Sequence, residues 1–159
     1  EIRPRDWSSD VCSSDLSARL FKEVREKRGL AYSVYSQLAS YDHSNLLQGG
    51  TSTKNERAAE SIAVIEEEIG KLCADGPSEE ELDKARKFLV GSYALRFDTS
   101  TKIAGNLVAL QMENYPVEFL VERNGRIERV TLEDTKRVAK RLFEGKKLLV
   151  VAAGRPEGF

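Results

Sequence analysis

Apolar side chains recur at steps of three and four along most of this chain and at steps of two over one short stretch, the pattern of a helical protein built around a small sheet. Leu20, Phe21 and Val24 form an apolar stripe beside Lys22, Glu23, Arg25, Glu26 and Lys27, which predicts a helix. Gly29 ends it. That glycine can adopt the left-handed conformation just past the cap, while Lys27 and Arg28 complement the negative end of the helix dipole and Leu30 packs back. From Ala31 to Leu38 the period is two. Tyr32, Val34, Ser36 and Leu38 share one face and Ala31, Ser33, Tyr35 and Gln37 the other, and the pattern leaves open which face meets the helices. Ser44 to Thr53 reads as a second strand, with Leu46 and Leu47 in it and Gly49-Gly50-Thr51 permitting a bulge or a close backbone approach.

Helical spacing resumes beyond the strands. Ala58, Ile62, Ile65, Ile69 and Leu72 mark a long helix over Asn55 to Ala74, stopped by Asp75-Gly76-Pro77. Ser78-Glu79-Glu80-Glu81 is a capping box, and Leu82, Ala85, Leu89 and Tyr93 are the stripe of the helix it opens. Ile103, Leu107 and Leu110 mark another helix, closed near Asn114-Tyr115-Pro116. Val117 to Val130 reads as short helices interrupted at Gly125, and Thr131 to Phe143 as a helix burying Leu132, Val138 and Leu142. Gly145 ends that one. The run Leu148-Leu149-Val150-Val151-Ala152-Ala153 within Lys147 to Ala153 then has the length and branching of a buried strand. The order β-β-α-α-α-α-α-β implies an α+β layer, with helices covering one face of a mainly antiparallel sheet.

Composition narrows the function classes. A chain of 159 residues that is 40% apolar and 32% charged is globular, and it can bury roughly 70% of its unfolded surface in one core. A net charge of −1 gives no positive excess for nucleic acid, and no apolar stretch approaches the roughly 20 residues that cross a bilayer. The first sixteen residues stand apart. Glu1 to Leu16 writes Ser-Ser-Asp twice, shows no stripe or alternation, and resembles translated sequencing-adapter read-through. On that reading authentic sequence starts near Ser17, the domain is 17–159, and Trp7 and Cys12 carry no meaning. Cys73 is then a lone thiol, which points to a reducing, cytoplasmic compartment and supplies no disulfide framework.

The run from Leu20 to Ser36, with Arg25 and Tyr32 seven positions apart across Gly29, resembles the signature of the C-terminal half of the pitrilysin/insulinase family of zinc metallopeptidases. Gly50-Thr51 before a long acidic helix, the Ser78-Glu79-Glu80-Glu81-Leu82 helix start, and Val130-Thr131-Leu132 before a helix and terminal strand are similar to the same family, so the likeness spans Ser17 to Gly154. It implies an α/β roll, one of two halves that close as a clamshell around an extended peptide. The zinc sits in the N-terminal half, on an inverted His-x-x-Glu-His motif. This chain has one histidine, His43, so zinc is expected to be held by that other half, in the same chain or a partner subunit. The family pattern also places a strand and a helix before the Leu20 helix. Their replacement here implies an incomplete sheet with an open edge beside Ala31 to Leu38, prone to association, including dimer formation.

The resemblance assigns Arg25 and Tyr32 the task of hydrogen-bonding the peptide near its scissile bond, a catalytic role as stabilisers of the carbonyl oxygen. Such donors contribute about 3 kcal/mol where water is excluded. Neither side chain needs to change protonation at neutral pH. The implied function is the substrate-binding half of a zinc endopeptidase acting on peptides or unfolded segments, inactive alone. The alternatives are a non-catalytic family subunit for assembly or peptide recognition, and an unrelated α+β module in which Arg25 is a solvated helix residue and Tyr32 a sheet residue. Other candidates read as structural. Glu66-Glu67-Glu68 is a solvated helix face, Glu79 to Glu81 cap a helix, and His43 lies in the turn Tyr41-Asp42-His43-Ser44-Asn45. Gly49-Gly50-Thr51 lacks the Lys-Ser/Thr ending of a phosphate loop, and Lys136, Arg137, Lys140 and Arg141 form a solubilising face.

Overall fold

The corner at Gly29 joins a long helix to a β-hairpin, and the main core gathers at that junction. The computed structural model describes residues 7–41 and 43–158, apart from the side chains of residues 7–13 and Ser40. Residues 1–6 of the segment set apart above, and Asp42 of the polar turn, lie outside the described residues. Helix α1 covers Trp7–Leu20 and runs on into a wide π-helical segment, Phe21–Lys27. Strands β1 (Ala31–Tyr41) and β2 (Ser44–Thr53) form an antiparallel hairpin. A short 3-10 turn, Asn55–Arg57, leads into α2 (Ala58–Asp75), followed by α3 (Glu79–Gly91) and a second 3-10 turn, Tyr93–Phe97. Helices α4 (Ser100–Met112), α5 (Phe119–Glu128) and α6 (Leu132–Phe143) complete the chain. The result is six helices on one face of a two-stranded sheet, an α+β layer as the sequence pattern implies.

Burial explains the arrangement. Leu16, Leu20 and Val24 from the first helix meet Leu30, Ala31 and Val34 at the start of β1, and Val64, Leu72, Val138 and Ala139 from α2 and α6 close the core over them. A smaller cluster of Leu82, Ala85, Ile127 and Val130 joins α3 to α5. The capping box at Ser78 forms as its spacing predicts: the Glu81 amide donates to the Ser78 hydroxyl oxygen and the Ser78 amide to the Glu81 carboxylate. Thr131 and Asp134 make a second one at the start of α6.

Five expectations change. The fully buried line of α2 is Ala58, Ser61, Val64, Glu68 and Leu72, with Ile62, Ile65 and Ile69 half-buried beside it. A serine can lie on that line because its hydroxyl donates to the Arg57 carbonyl at 2.9 Å. Glu68 is likewise buried rather than solvated, held by Lys71 at 2.7 Å, while Glu66 and Glu67 are exposed as expected. Along α4 Leu110 is buried but Ile103 and Leu107 are exposed, because this helix packs mainly on the 3-10 turn before it. A single α5 runs through Gly125, where short interrupted helices were expected. Finally, Lys147 to Ala153 is not a strand: Leu149 is 93% and Val151 85% exposed, and the segment pairs with no other among the described residues. Branched side chains favour extended backbone, but a strand exists only where a neighbour supplies the ladder.

Candidate functional site

The helix-to-strand corner is built by backbone hydrogen bonds across Gly29. The Gly29 amide donates to the Arg25 carbonyl at 3.1 Å and the Leu30 amide to the Val24 carbonyl at 2.9 Å, which absorbs two of the orphaned carbonyls at the helix end. Gly29 has φ +58°, the left-handed region that side chains other than glycine's enter at a cost. Leu30 turns inward and is buried. Its carbonyl accepts from the Thr53 hydroxyl at 2.6 Å, tying the corner to the end of β2.

One residue later the ladder slips. Ala31 pairs with Thr53 and Ser33 with Ser52, so Tyr32 is the extra residue of a β-bulge. This separates Tyr32 from Val34. Val34 is buried against the helices, Ser36 and Leu38 follow it on the same side, and Leu47 across the ladder joins the core, so that is the face that meets the helix layer. Tyr32 is instead turned out to 83% exposure.

The bulge brings Tyr32 back toward the helix. The Arg25 guanidinium carbon lies 5.6 Å from the centre of the Tyr32 ring and 4.7 Å from that of Phe21, so the cation is held between two aromatic faces. The π-helical winding places Phe21 and Arg25 on one side of the segment, and π-helical turns recur at functional sites. Among the described residues no ion pair or hydrogen bond takes up the Arg25 guanidinium or the Tyr32 hydroxyl. Both sequence-named residues are therefore brought together, exposed and chemically available. Phe21 is the participant that the sequence reading left in the apolar stripe; an aromatic residue one wide turn before the arginine is the signal that marks it.

The other candidates fall elsewhere. His43 is exposed at the far end of the hairpin. Glu79 and Glu80 are exposed, and Glu81 serves both its cap and the Arg19 guanidinium at 2.8 Å. Burial works to raise the Glu81 pKa, but the bonds from Arg19 and the Ser78 amide outweigh it and hold the carboxyl below its ordinary value. Asp15 is the contrast. It is 1% exposed and neither carboxylate oxygen has a hydrogen-bond partner, so desolvation, helped by the charge on Glu81 and opposed by Arg19 and Arg86, raises its pKa to about 7. Arg123, which the sequence reading did not single out, is buried under Tyr93 at 4.3 Å from its ring centre and donates to the Leu89 carbonyl at 3.0 Å. Lys136, Arg137 and Lys140 form an exposed basic face with Arg141 partly covered.

Among the described residues no three His, Cys, Asp or Glu side chains cluster as ion ligands, and the one histidine is remote from Arg25 and Tyr32 along the hairpin. No helix of the described residues is long and apolar enough to cross a membrane. An open groove of about 550 Å³ beside the second 3-10 turn, lined by Ser92, Leu95, Arg96, Lys102, Gly105 and Asn106, has its lysine engaged by Asp98 and its asparagine by two backbone carbonyls.

The fold is that of a peptidase inactive domain. The chain belongs to the peptidase M16 family, as the domain described as the peptidase M16 inactive domain, whose family model matches residues 9–89. It is 37% identical over 129 residues to an uncharacterized zinc protease of Mycobacterium tuberculosis, which covers 80% of this chain and 29% of that protein. It is 27% identical over 124 residues to a protein of Helicobacter pylori named a non-peptidase homolog, covering 78% of this chain and 29% of that one. The crystal structure of a peptidase M16 inactive domain from Pseudomonas fluorescens superposes with a TM-score of 0.78 at 25% identity, over 89% of this chain and 35% of that one. The chain thus spans less than a third of the length of these curated relatives.

Proposed function

We propose that this chain is the substrate-gripping half of a zinc endopeptidase, in which Arg25 and Tyr32 hold a peptide carbonyl next to the bond being cut. The observation that carries this reading is the 5.6 Å approach of the guanidinium to the Tyr32 ring at an exposed corner. A guanidinium and a phenol are both hydrogen-bond donors, suited to an oxygen on which negative charge grows. Zinc is held by a second half outside these residues, on the same polypeptide or a partner subunit, and alone this chain binds peptide without cutting it. The substrate is a peptide or an unfolded segment lying extended at the corner.

The test joins this chain to the zinc-bearing half of a relative and measures hydrolysis of a fluorogenic peptide. Arg25→Ala and Tyr32→Phe are each expected to lower kcat by about 100-fold, the scale for loss of one transition-state donor, with the unfolding midpoint unchanged. Unchanged turnover in both variants would reject the assignment. A second reading is favoured by the Helicobacter pylori relative's name: a subunit that recognises peptides or supports assembly without catalysis. It predicts saturable peptide binding and no turnover in the joined protein, with zinc loaded.

A further inference from the structure

The face of the hairpin turned away from the helices is chemically unlike the rest of the molecule. In a chain that is 32% charged, Asp42 is the sole Asp, Glu, Lys or Arg between Gly29 and Thr53. The outward positions pair as Ser33 with Ser52, Tyr35 with Gly50, Gln37 with Gln48, Ala39 with Leu46, and Tyr41 with Ser44. Tyr35, Tyr41 and Leu46 are 48%, 57% and 48% exposed, a large apolar surface for so small a sheet. Tyr35 lies across Gly50: a Cβ built on that glycine would stand 2.9 Å from the Tyr35 ring, so only glycine opposite lets the ring lie flat on the strand. The floor so formed begins one residue beyond Tyr32, and hence continues directly from the Arg25 and Tyr32 corner.

We propose that this outer face is a specificity surface for extended peptide segments free of charged side chains. The inference rests on the gripping role given to Arg25 and Tyr32 and adds the substrate class. A charged side chain laid on Tyr35, Leu46 and the two glutamines would lose hydrating water and meet no counter-charge, whereas an apolar or uncharged polar one exchanges water for apolar contact and amide hydrogen bonds. An extended peptide presents alternate side chains to such a floor, so the discrimination acts on every second residue. The absence of charge is the complementarity: on this face the solvation of a substrate charge would not be replaced.

The test is fluorescence anisotropy of this chain with three end-capped, fluorescein-labelled heptapeptides: one alternating Leu and Ser, one with Glu and one with Lys at the Leu positions. The uncharged peptide is expected to bind at least about tenfold more tightly than either charged one. Leu46→Lys should weaken the uncharged peptide and bring the Glu peptide above it, and Tyr35→Ser should weaken the uncharged peptide several-fold. Both side chains point outward, and circular dichroism checks that the fold is retained. Arg25→Ala and Tyr32→Phe should leave the order of preference intact, so loss of turnover in those variants and loss of preference in Leu46→Lys report separately on the corner and on the face. Equal affinity for all three peptides, no binding, or an order unmoved by Leu46→Lys would overturn the proposal. So would concentration-dependent self-association abolished by Leu46→Lys, which would assign the face to a second copy of the chain.

Discussion

Phe21 and Arg25 are stacked, ring against guanidinium at 4.7 Å, one wide helical turn apart on the side of the chain that faces Tyr32. Arg25 is exposed, and an exposed arginine ordinarily samples many rotamers. The ring restricts it. An exposed contact of this kind contributes about 0.5–1 kcal/mol, enough to change the fraction of time the cation points at Tyr32 by a few fold.

Phe21→Ala in the joined peptidase is therefore expected to lower kcat/KM by about threefold, and Phe21→Trp to restore it. Phe21→Leu keeps the apolar volume without the π face and should behave like alanine. Steady-state kinetics on the three variants separates a ring that orients the cation from one that fills space.

Gly29 fixes where the corner turns. No atom lies within 4 Å of where its Cβ would be, so substitution there meets conformational cost alone. Gly29→Val is expected to destabilise by about 1–2 kcal/mol and Gly29→Asn by clearly less, since asparagine tolerates the left-handed region. Urea unfolding of both variants checks the order.

Asp15 makes stability depend on pH. With a folded pKa of about 7 against 3.8 for a free aspartate, the folded state binds the extra proton between those values. Stability from this group therefore falls as pH rises from about 4 to about 7 and stays low above, by an amount on the order of a few kcal/mol. Asp15→Asn should remove that slope, gaining stability at pH 8 and little at pH 4. Parallel urea titrations at the two pH values measure it.

The Thr131 cap is a two-way bond. Thr131 accepts from the Asp134 amide at 3.1 Å, and its hydroxyl donates to the Asp134 carboxylate at 2.6 Å, which chiefly holds that carboxyl below its ordinary pKa. Thr131→Ala is expected to cost about 1 kcal/mol and to let the Asp134 pKa climb back toward the usual carboxylate value. Carbon-detected NMR titration of the variant reads the second effect independently of the first.

What the sequence made legible follows from how local each feature is. Gly29, the Ser78 cap and the Gly145 stop depend on residues within a turn of one another, and each is where the pattern puts it. The Arg25 and Tyr32 approach was readable only as a spacing, because it depends on a bulge that shifts Tyr32 out of phase with Val34. Nothing in the alternation of Ala31 to Leu38 marks that slip; it arises from pairing with Thr53 and Ser52 on another strand. The rotated stripe of α2 has the same origin. Ile62, Ile65 and Ile69 are the more apolar line, yet α6 and the first helix meet the helix closer to Val64 and Leu72, and Ser61 and Glu68 are accommodated there by an internal bond to Arg57 and by Lys71. Asp15 departs furthest from what a sequence rule allows, a carboxylate with no partner on the inner side of a helix.

The bare segment from Lys147 to Ala153 has a use of its own. With no ladder partner among the described residues, its amides should exchange deuterium at close to the rate of an unstructured peptide, while those of Val34 and Leu72 are held for far longer. Any neighbour that adds a strand along one edge there would slow every second amide, three or four of them, together. Mass spectrometry of that one peptide would thus serve as a clock for assembly, started by mixing and read without a label.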